Sequence, residues 1–218
     1  MIKCAIFDLD GTLVNSIDDL GLATDYVLKQ YGKEPKWTTD DYRLFVGNGA
    51  KKLVERAFEH KLSPAELEKA YEMFKEKYNE ILLDHAHLYD GIKEQLDILK
   101  QKGIKIAVNS NKRGDYTNAL VNKYFSQFSW IAVYGERERE GIPKKPDPSA
   151  ALEIANHMNL PAEEVLYIGD SKTDMETGQN AKMDTIGVAW GFRGAEELRE
   201  NNATYIVEKP EAILEYVI

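Results

Sequence analysis

The sequence predicts an α/β protein with a doubly wound parallel sheet, into which an α-helical cap subdomain is inserted. Short apolar runs rich in β-branched residues recur between turn residues and alternate with helical patterns, which is typical of parallel strands joined by right-handed crossovers. Residues 16–83 interrupt this alternation, because they contain amphipathic helical patterns and no convincing strand. We therefore expect a core formed by residues 1–15 and 84–218, and a helical cap formed by residues 16–83.

The predicted strands of the core are six apolar runs. In chain order they read CAIFDL, IKIAVNS, WIAVYG, VLYIGD, TIGVAW and TYIV. Apolar residues recur at helical spacing over 92–102 and over 149–158, between consecutive strands. Gly103 follows the first of these two patterns and is a typical helix stop.

The predicted cap consists of helices that pack through apolar stripes. Each stripe has the i, i+3, i+4 spacing of one helix face, so we interpret it as core packing rather than as a binding surface. The three stripes are Leu20, Ala23, Val27 and Tyr31; Leu53, Val54, Ala57 and Phe58; and Leu67, Tyr71, Phe74, Tyr78 and Leu82.

Composition and charge narrow the class of protein. With 218 residues, 43% of them hydrophobic and 30% charged, the chain can bury a core and has the balance of a soluble globular protein. A net charge of −9 argues against nucleic acid or an anionic membrane as the main partner. The single cysteine, Cys4, excludes an internal disulfide and a cysteine metal cluster. Since the chain shows neither a membrane-length apolar run nor a signal-peptide pattern, we expect a cytoplasmic protein. We also expect the protein to be a monomer or a homodimer.

Polar residues end four of the predicted strands. In open parallel sheets, ligands bind at the carboxyl ends of the strands, so these residues should converge on one site. The first strand ends in Asp8 and Asp10, the second in Asn109 to Lys112, the third is followed by Lys144 and Lys145, and the fourth ends in Asp170, Ser171 and Asp174.

This set of side chains suits phosphoryl transfer. A carboxylate can attack phosphorus and form an aspartyl-phosphate, while Mg²⁺ bound to carboxylate oxygens neutralises charge. A lysine and a hydroxyl or amide donor can hold the phosphoryl oxygens, and a second carboxylate can transfer the protons. Gly11 suits a turn that brings backbone N–H groups close to a phosphate.

The motifs resemble those of the haloacid dehalogenase superfamily, most closely its phosphoglycolate-phosphatase-like branch. DLDGTLVNS is similar to the first family motif, SNK to the second, KKPDP to the third and GDSKTD to the fourth, and the resemblance covers almost the whole chain. It implies a Rossmann-like core and hydrolysis of a phosphate ester. It also implies that Asp8 is the nucleophile and Asp10 the general acid and base.

The resemblance also implies the remaining roles in the core. Mg²⁺ would be bound by Asp8, the backbone carbonyl of Asp10 and Asp170, with Asp174 and Ser171 supporting the site. The transferring phosphoryl group would be bound by Ser110, Asn111 and Lys145; Lys145 is preferred to Lys144 because the family lysine directly precedes the proline.

The cap segment FVGNGAKK resembles a segment that faces the active site in the same branch. Gly47 and Gly49 would let the backbone approach a ligand, and Asn48 could bind its polar end. The alternative is a helix N-terminus with a glycine turn and Asn48 as the cap. Arg43 and Arg193 are possible carboxylate binders.

The predicted function is a magnesium-dependent phosphatase that acts on a small phosphorylated metabolite through an aspartyl-phosphate. Phosphoglycolate is the leading candidate substrate, while nucleoside monophosphates, sugar phosphates and pyrophosphate stay open. A phosphomutase of the same superfamily would share every core motif. A phospho-accepting signalling protein or a binding module is the other alternative, although the first-strand DLDGT and the helical insert favour an enzyme.

Overall fold

The computed structural model of the chain describes residues Met1–Val217. Its strands are β1 (Cys4–Phe7), β2 (Val14–Asn15), β3 (His87–Leu88), β4 (Lys105–Arg113), β5 (Trp130–Glu136), β6 (Val165–Gly169), β7 (Asp184–Val188) and β8 (Tyr205–Val207). Its α-helices are α1 (Ile17–Gln30), α2 (Thr39–Phe45), α3 (Ala50–Ala57), α4 (Pro64–Ile81), α5 (Ile92–Gln101), α6 (Gly114–Phe125), α7 (Ser149–His157), α8 (Lys172–Asn180) and α9 (Gly194–Glu200). Short 3₁₀ helices occur at Glu138–Glu140, Ala162–Glu164 and Pro210–Tyr216.

The chain divides into two compact units. One is formed by Met1–Val14 and the chain from Leu88 onward, and the other is Asn15–His87. The two-residue strands β2 and β3 lie where the chain passes between the units. Within Met1–Val217, no helix is long and apolar enough to cross a membrane.

The larger unit contains one parallel sheet, formed by six of the described strands in the order β5-β4-β1-β6-β7-β8. β1 lies between β4 and β6, with Phe7 opposite Val108 on one side and Ile168 on the other. The residues of β1 are at most 1% exposed, as expected for a strand covered on both faces. The predicted α/β class with a doubly wound parallel sheet is confirmed.

This strand order positions the functional site. The chain builds the sheet outward from β1 to β4 and β5, then crosses back to place β6, β7 and β8 on the other side of β1. The order therefore reverses next to β1, and ligands of such sheets bind outside the carboxyl ends of the strands at this point. Asp8 is the first residue after β1.

The smaller unit, Asn15–His87, contains α1 to α4. Its core includes the fully buried Val27, Val54, Phe74 and Tyr78, which belong to the three predicted stripes. The rings of Phe74 and Tyr78 stack with centroids 5.4 Å apart. Stripe residues Tyr31, Leu67 and Tyr71 are only partly buried.

Helix α2 has too few residues to form a recognisable stripe, and the sequence patterns did not predict it. A capping box begins the helix: Thr38 Oγ1 accepts a hydrogen bond from the Asp41 N–H, and the Asp41 carboxylate accepts one from the Thr38 N–H at 2.8 Å. The pair Thr38 and Asp41 is a signal in the sequence that would have revealed this helix.

Candidate active site

The carboxylate of Asp8 lies at the end of the central strand. The Asp8 N–H donates to the Ile168 carbonyl at 2.8 Å, which continues the pairing of β1 with β6 by one residue. Asp8 is 8% exposed, so its carboxylate is largely removed from water. The sheet thus fixes the backbone of Asp8 independently of the contacts of its side chain.

Three buried carboxylates form an acidic cluster at this strand end. Asp8, Asp170 and Asp174 each offer an oxygen, and these oxygens lie within 4.8 Å of one another. Lys145 Nζ lies 2.8 Å from Asp8 Oδ1 and 2.7 Å from Asp174 Oδ1. One lysine cannot neutralise three carboxylates, so the cluster has the charge and the oxygen donors that a divalent cation requires.

Burial is the main cause of the raised carboxyl pKa values in the cluster, and the neighbouring negative charges add to the rise. Burial raises the pKa of Asp8 to about 7; Lys145 opposes the rise, and Asp174 and Asp10 add to it. Burial, then the charges of Asp174 and Asp8, hold the pKa of Asp170 well above its usual range. Burial alone would lower the pKa of Lys145, but the two carboxylates beside it raise that pKa well above its ordinary value. The ammonium is therefore charged.

The surroundings of Asp170 leave it little freedom. Its Oδ2 accepts a hydrogen bond from the Phe192 N–H at 2.7 Å. A Cβ at Gly11 would lie 2.3 Å from that same oxygen, and a Cβ at Gly191 would lie 2.2 Å from Asp170 Cβ. Only glycine fits at these two positions without moving the carboxylate, which supports a metal ligand held in one place.

Asp174 connects the cluster to the start of α8. Its Oδ2 accepts hydrogen bonds from the N–H and the hydroxyl of Ser171, at 3.1 and 2.7 Å, in a capping box. Its other oxygen, Oδ1, accepts from Lys145. Asp174 is fully buried, so it orients Lys145 while its own orientation is fixed by the helix cap.

The second predicted strand end reaches the same cluster from β4. Asn111 Oδ1 accepts from the Lys145 N–H at 2.9 Å, and Asn111 Nδ2 donates to the Lys145 carbonyl at 3.1 Å. Ser110 is buried, and its Oγ accepts from the Lys112 N–H at 3.2 Å. Lys144, unlike Lys145, pairs with Glu138, at 2.6 Å. The peptide bond between Lys145 and Pro146 is cis.

Asp10 is held by an ion pair with Lys112. Its two carboxylate oxygens accept from Lys112 Nζ at 3.1 and 3.0 Å. The turn that carries Asp10 closes through hydrogen bonds from the Gly11 N–H to the Val14 carbonyl and from the Val14 N–H to the Leu9 carbonyl. Gly11 has a φ of +87°, which explains glycine at this turn.

In the cap unit, the segment with Gly47, Asn48 and Gly49 leads directly into α3. The N-cap of α3 is Gly49, without a side-chain cap, so the alternative in which Asn48 caps the helix is wrong. Asn48 Oδ1 instead accepts from Arg56 Nη2 at 2.7 Å, and Arg56 Nη1 donates to the Phe45 carbonyl at 2.6 Å. Gly47 and Gly49 have φ values of 116° and 87°, as the glycine turn requires.

The two candidate arginines have acidic neighbours in their own units. Arg43 pairs with Asp40 at 2.9 Å, and Arg193 lies 3.9 Å from Glu197.

Sequence reasoning missed three residues around the site. It assigned no role to Lys112, although it placed this residue at the strand end, and it did not consider Gly191 or Phe192. The sequence WGFRG, with a glycine directly after an apolar strand, is the signal that could have directed attention to the loop after β7.

The fold and the acidic strand end define a hydrolase of the haloacid dehalogenase-like class, and comparison with known proteins confirms this. The sequence model of that family, described as haloacid dehalogenase-like hydrolase, matches residues 5–188. The chain belongs to this family.

Individual relatives identify the branch. The chain is 32% identical to a phosphoglycolate phosphatase of Psychrobacter arcticus over 98% of this chain and 94% of the relative. It is 30% identical to a phosphoglycolate phosphatase of Vibrio parahaemolyticus over 99% and 96% of the two chains. The solved structure of a predicted phosphoglycolate phosphatase of Haemophilus somnus superposes with a TM-score of 0.90 at 26% identity, covering 100% of this chain and 98% of the other. The predicted phosphoglycolate-phosphatase-like branch is confirmed, as is the enzyme class, a phosphoric monoester hydrolase.

Proposed function

We propose that the chain is a magnesium-dependent phosphatase that hydrolyses phosphoglycolate through an aspartyl-phosphate on Asp8. The arrangement of Asp8, Lys145 and the buried carboxylates at the end of the central strand carries this proposal. The names of the relatives support the substrate.

In the first half-reaction, an Asp8 oxygen attacks the phosphorus. A bond from this oxygen to phosphorus forms while the bond from phosphorus to the leaving oxygen breaks. Asp10 gives a proton to that oxygen, and the alcohol leaves. In the second half-reaction, Asp10 takes a proton from water, the water oxygen attacks the phosphorus, and phosphate departs from Asp8.

Lys145 holds the phosphoryl oxygens in this scheme. Its ammonium already lies 2.8 Å from the Asp8 oxygen, so a phosphoryl group bonded to Asp8 would form within its reach. Ser110 and Asn111 complete the predicted phosphate site. Asn111 also fixes the backbone of Lys145, so it helps to position the Lys145 ammonium.

The acidic cluster fits a divalent cation. Asp8, the backbone carbonyl of Asp10 and Asp170 would hold Mg²⁺, with Asp174 and Ser171 supporting them. When bound, the ion supplies the positive charge that lets a carboxylate approach a phosphate. Burial raises the pKa values of Asp8 and Asp170, and a bound cation would counteract this rise by favouring their ionised forms.

In the cap, Gly47, Asn48 and Gly49 are the proposed specificity residues. Arg56 donates to Asn48 Oδ1 at 2.7 Å, which fixes the side chain of Asn48 beside the two glycines. A side-chain amide carries N–H donors, which suit the carboxylate of phosphoglycolate.

The test is phosphate release from a panel of small phosphate compounds with Mg²⁺, run beside Asp8→Asn. We expect rapid release from phosphoglycolate and none with the variant, whose amide cannot form the aspartyl-phosphate. Phosphate release only from other esters would exclude phosphoglycolate as the substrate. Conversion of a sugar phosphate to an isomer without free phosphate would favour a phosphomutase.

A further inference from the structure

The contact between Lys112 and Asp10 has no role in the scheme above. Lys112 Nζ reaches both oxygens of Asp10, at 3.1 and 3.0 Å. The side chain of Lys112 is 5% exposed and that of Asp10 is 12% exposed. An exposed ion pair would contribute little, whereas this one is shielded from solvent.

The two partners come from different elements of the core. Lys112 lies near the end of β4, between the pairs Asn109–Tyr134 and Arg113–Glu136 that join β4 to β5, and its N–H donates to Ser110 Oγ. Asp10 lies in the turn after β1. The contact to both carboxylate oxygens therefore ties the turn residue to the rigid strand and limits rotation of the carboxylate.

We propose that Lys112 is a positioning residue for the proton transfer performed by Asp10. The inference rests on the proposed function, in which Asp10 donates a proton to the leaving oxygen as its bond to phosphorus breaks. Proton transfer of this kind needs the acid within hydrogen-bond distance of the oxygen, so a carboxylate free to rotate loses efficiency. Lys112 acts through Asp10 and need not touch the substrate.

The dependence of the rate on the leaving group distinguishes a role of Lys112 in positioning Asp10 from a role in folding or in substrate binding. An alkyl phosphate releases a poor leaving group that needs a proton, whereas p-nitrophenyl phosphate releases a stable phenolate that does not. The parameter kcat/KM reports the steps up to alcohol release, so it isolates the half-reaction in which Asp10 acts as an acid.

The experiment measures kcat/KM of Lys112→Met on phosphoglycolate, ethyl phosphate and p-nitrophenyl phosphate. We expect the loss on both alkyl phosphates to exceed the loss on the aryl phosphate by about tenfold or more, which is part of the roughly 10²–10⁴-fold that general acid catalysis contributes. Lys112→Arg, which keeps a cation with paired donors, should restore part of the difference. Lys105→Met, an exposed lysine on the same strand, is the control for the substitution itself and should match the parent.

Two outcomes would overturn the proposal. An equal loss on all three substrates would assign Lys112 to folding or general site integrity, and thermal unfolding of the variant would show which. A loss confined to phosphoglycolate would make Lys112 a binder of the substrate carboxylate.

The variant Asp10→Asn separates this inference from the proposed function. If Asp10→Asn lacks the alkyl-to-aryl difference, the acid role of Asp10 fails. If Asp10→Asn shows a larger loss on alkyl than on aryl phosphates and Lys112→Met does not, only the positioning role of Lys112 fails.

Discussion

The side-chain amide of Asn111 pairs with the backbone of Lys145 on both sides of that residue, accepting from its N–H at 2.9 Å and donating to its carbonyl at 3.1 Å. Two residues 34 positions apart are thereby held in register, and the Lys145 ammonium is set between Asp8 and Asp174. Sequence motifs treat the two residues as separate contributors to a phosphate site. The structure makes the placement of one depend on the other.

We expect Asn111→Asp to impair both stability and turnover. A carboxylate keeps the acceptor for the Lys145 N–H but loses the donor, and it places a negative charge against the Lys145 carbonyl. Leaving a buried polar group without its partner costs about 1–3 kcal/mol of unfolding free energy. Chemical unfolding and kcat with phosphoglycolate measure the two effects. Asn118→Asp, in which an exposed amide donates to the Gly114 carbonyl, is the matched control, and equal effects in both variants would contradict the prediction.

Lys145→Met should be more damaging than any change at Asp10 or Asn111. It removes the positive charge shared by two buried carboxylates, and breaking a buried pair in this way costs about 3–5 kcal/mol. Activity should fall below detection even under conditions where the variant is folded. Lys144→Met, which removes only the pair with Glu138, should keep both the parent activity and the parent stability. Full activity in Lys145→Met would exclude the proposed phosphate contact.

The metal-free protein should lose stability as the pH rises toward 7. In the folded state the pKa of Asp8 is raised from 3.8 to about 7, and that of Asp170 is also raised. Between these values the folded state binds more protons than the unfolded state, so the stabilising protonation is present at low pH and is lost as the pH rises through the folded pKa.

Thermal unfolding in EDTA across this pH range measures the effect. Asp8→Asn should reduce the slope because its amide does not titrate, and Mg²⁺ added at pH 8 should raise the parent Tm more than that of the variant. A slope that is unchanged in the variant would show that Asp8 does not titrate as described.

Gly191→Ala should weaken Mg²⁺ binding. The added Cβ would lie 2.2 Å from Asp170 Cβ and 2.5 Å from the Gly11 carbonyl, so the carboxylate must move. We expect the Kd for Mg²⁺, measured by calorimetry, to rise about tenfold or more, comparable with losses of groups that orient metal ligands. Gly114→Ala, where a Cβ meets no atom within 4 Å, should bind Mg²⁺ as the parent does. A parent-like affinity of Gly191→Ala for Mg²⁺ would mean that the loop after β7 can move to accept the Cβ without displacing the Asp170 carboxylate.

The sequence predicted what depends on neighbours along the chain. Continuous apolar runs identified the strands of the sheet, and Asp8 and Asp170 were placed at strand ends because each follows such a run directly. Lys112 contacts Asp10 across 102 positions of the chain, and Phe192 contacts Asp170 across 22, so local patterns carry no information about these contacts or about the close approach of Gly191 to Asp170. The orientation of Asn48 was missed for a similar reason, because it is decided by Arg56 on the following helix.

The position of β1 in the sheet has a consequence for the order in which the protein is made. β1 precedes the other described strands of the sheet along the chain, yet its two neighbours, β4 and β6, end at Arg113 and Gly169. A ribosome synthesises the whole segment 15–87 before it synthesises either partner strand of β1. The apolar strand β1 therefore stays without its hydrogen-bonding partners until β4 and then β6 have been synthesised, and during this period it depends on protection from other chains.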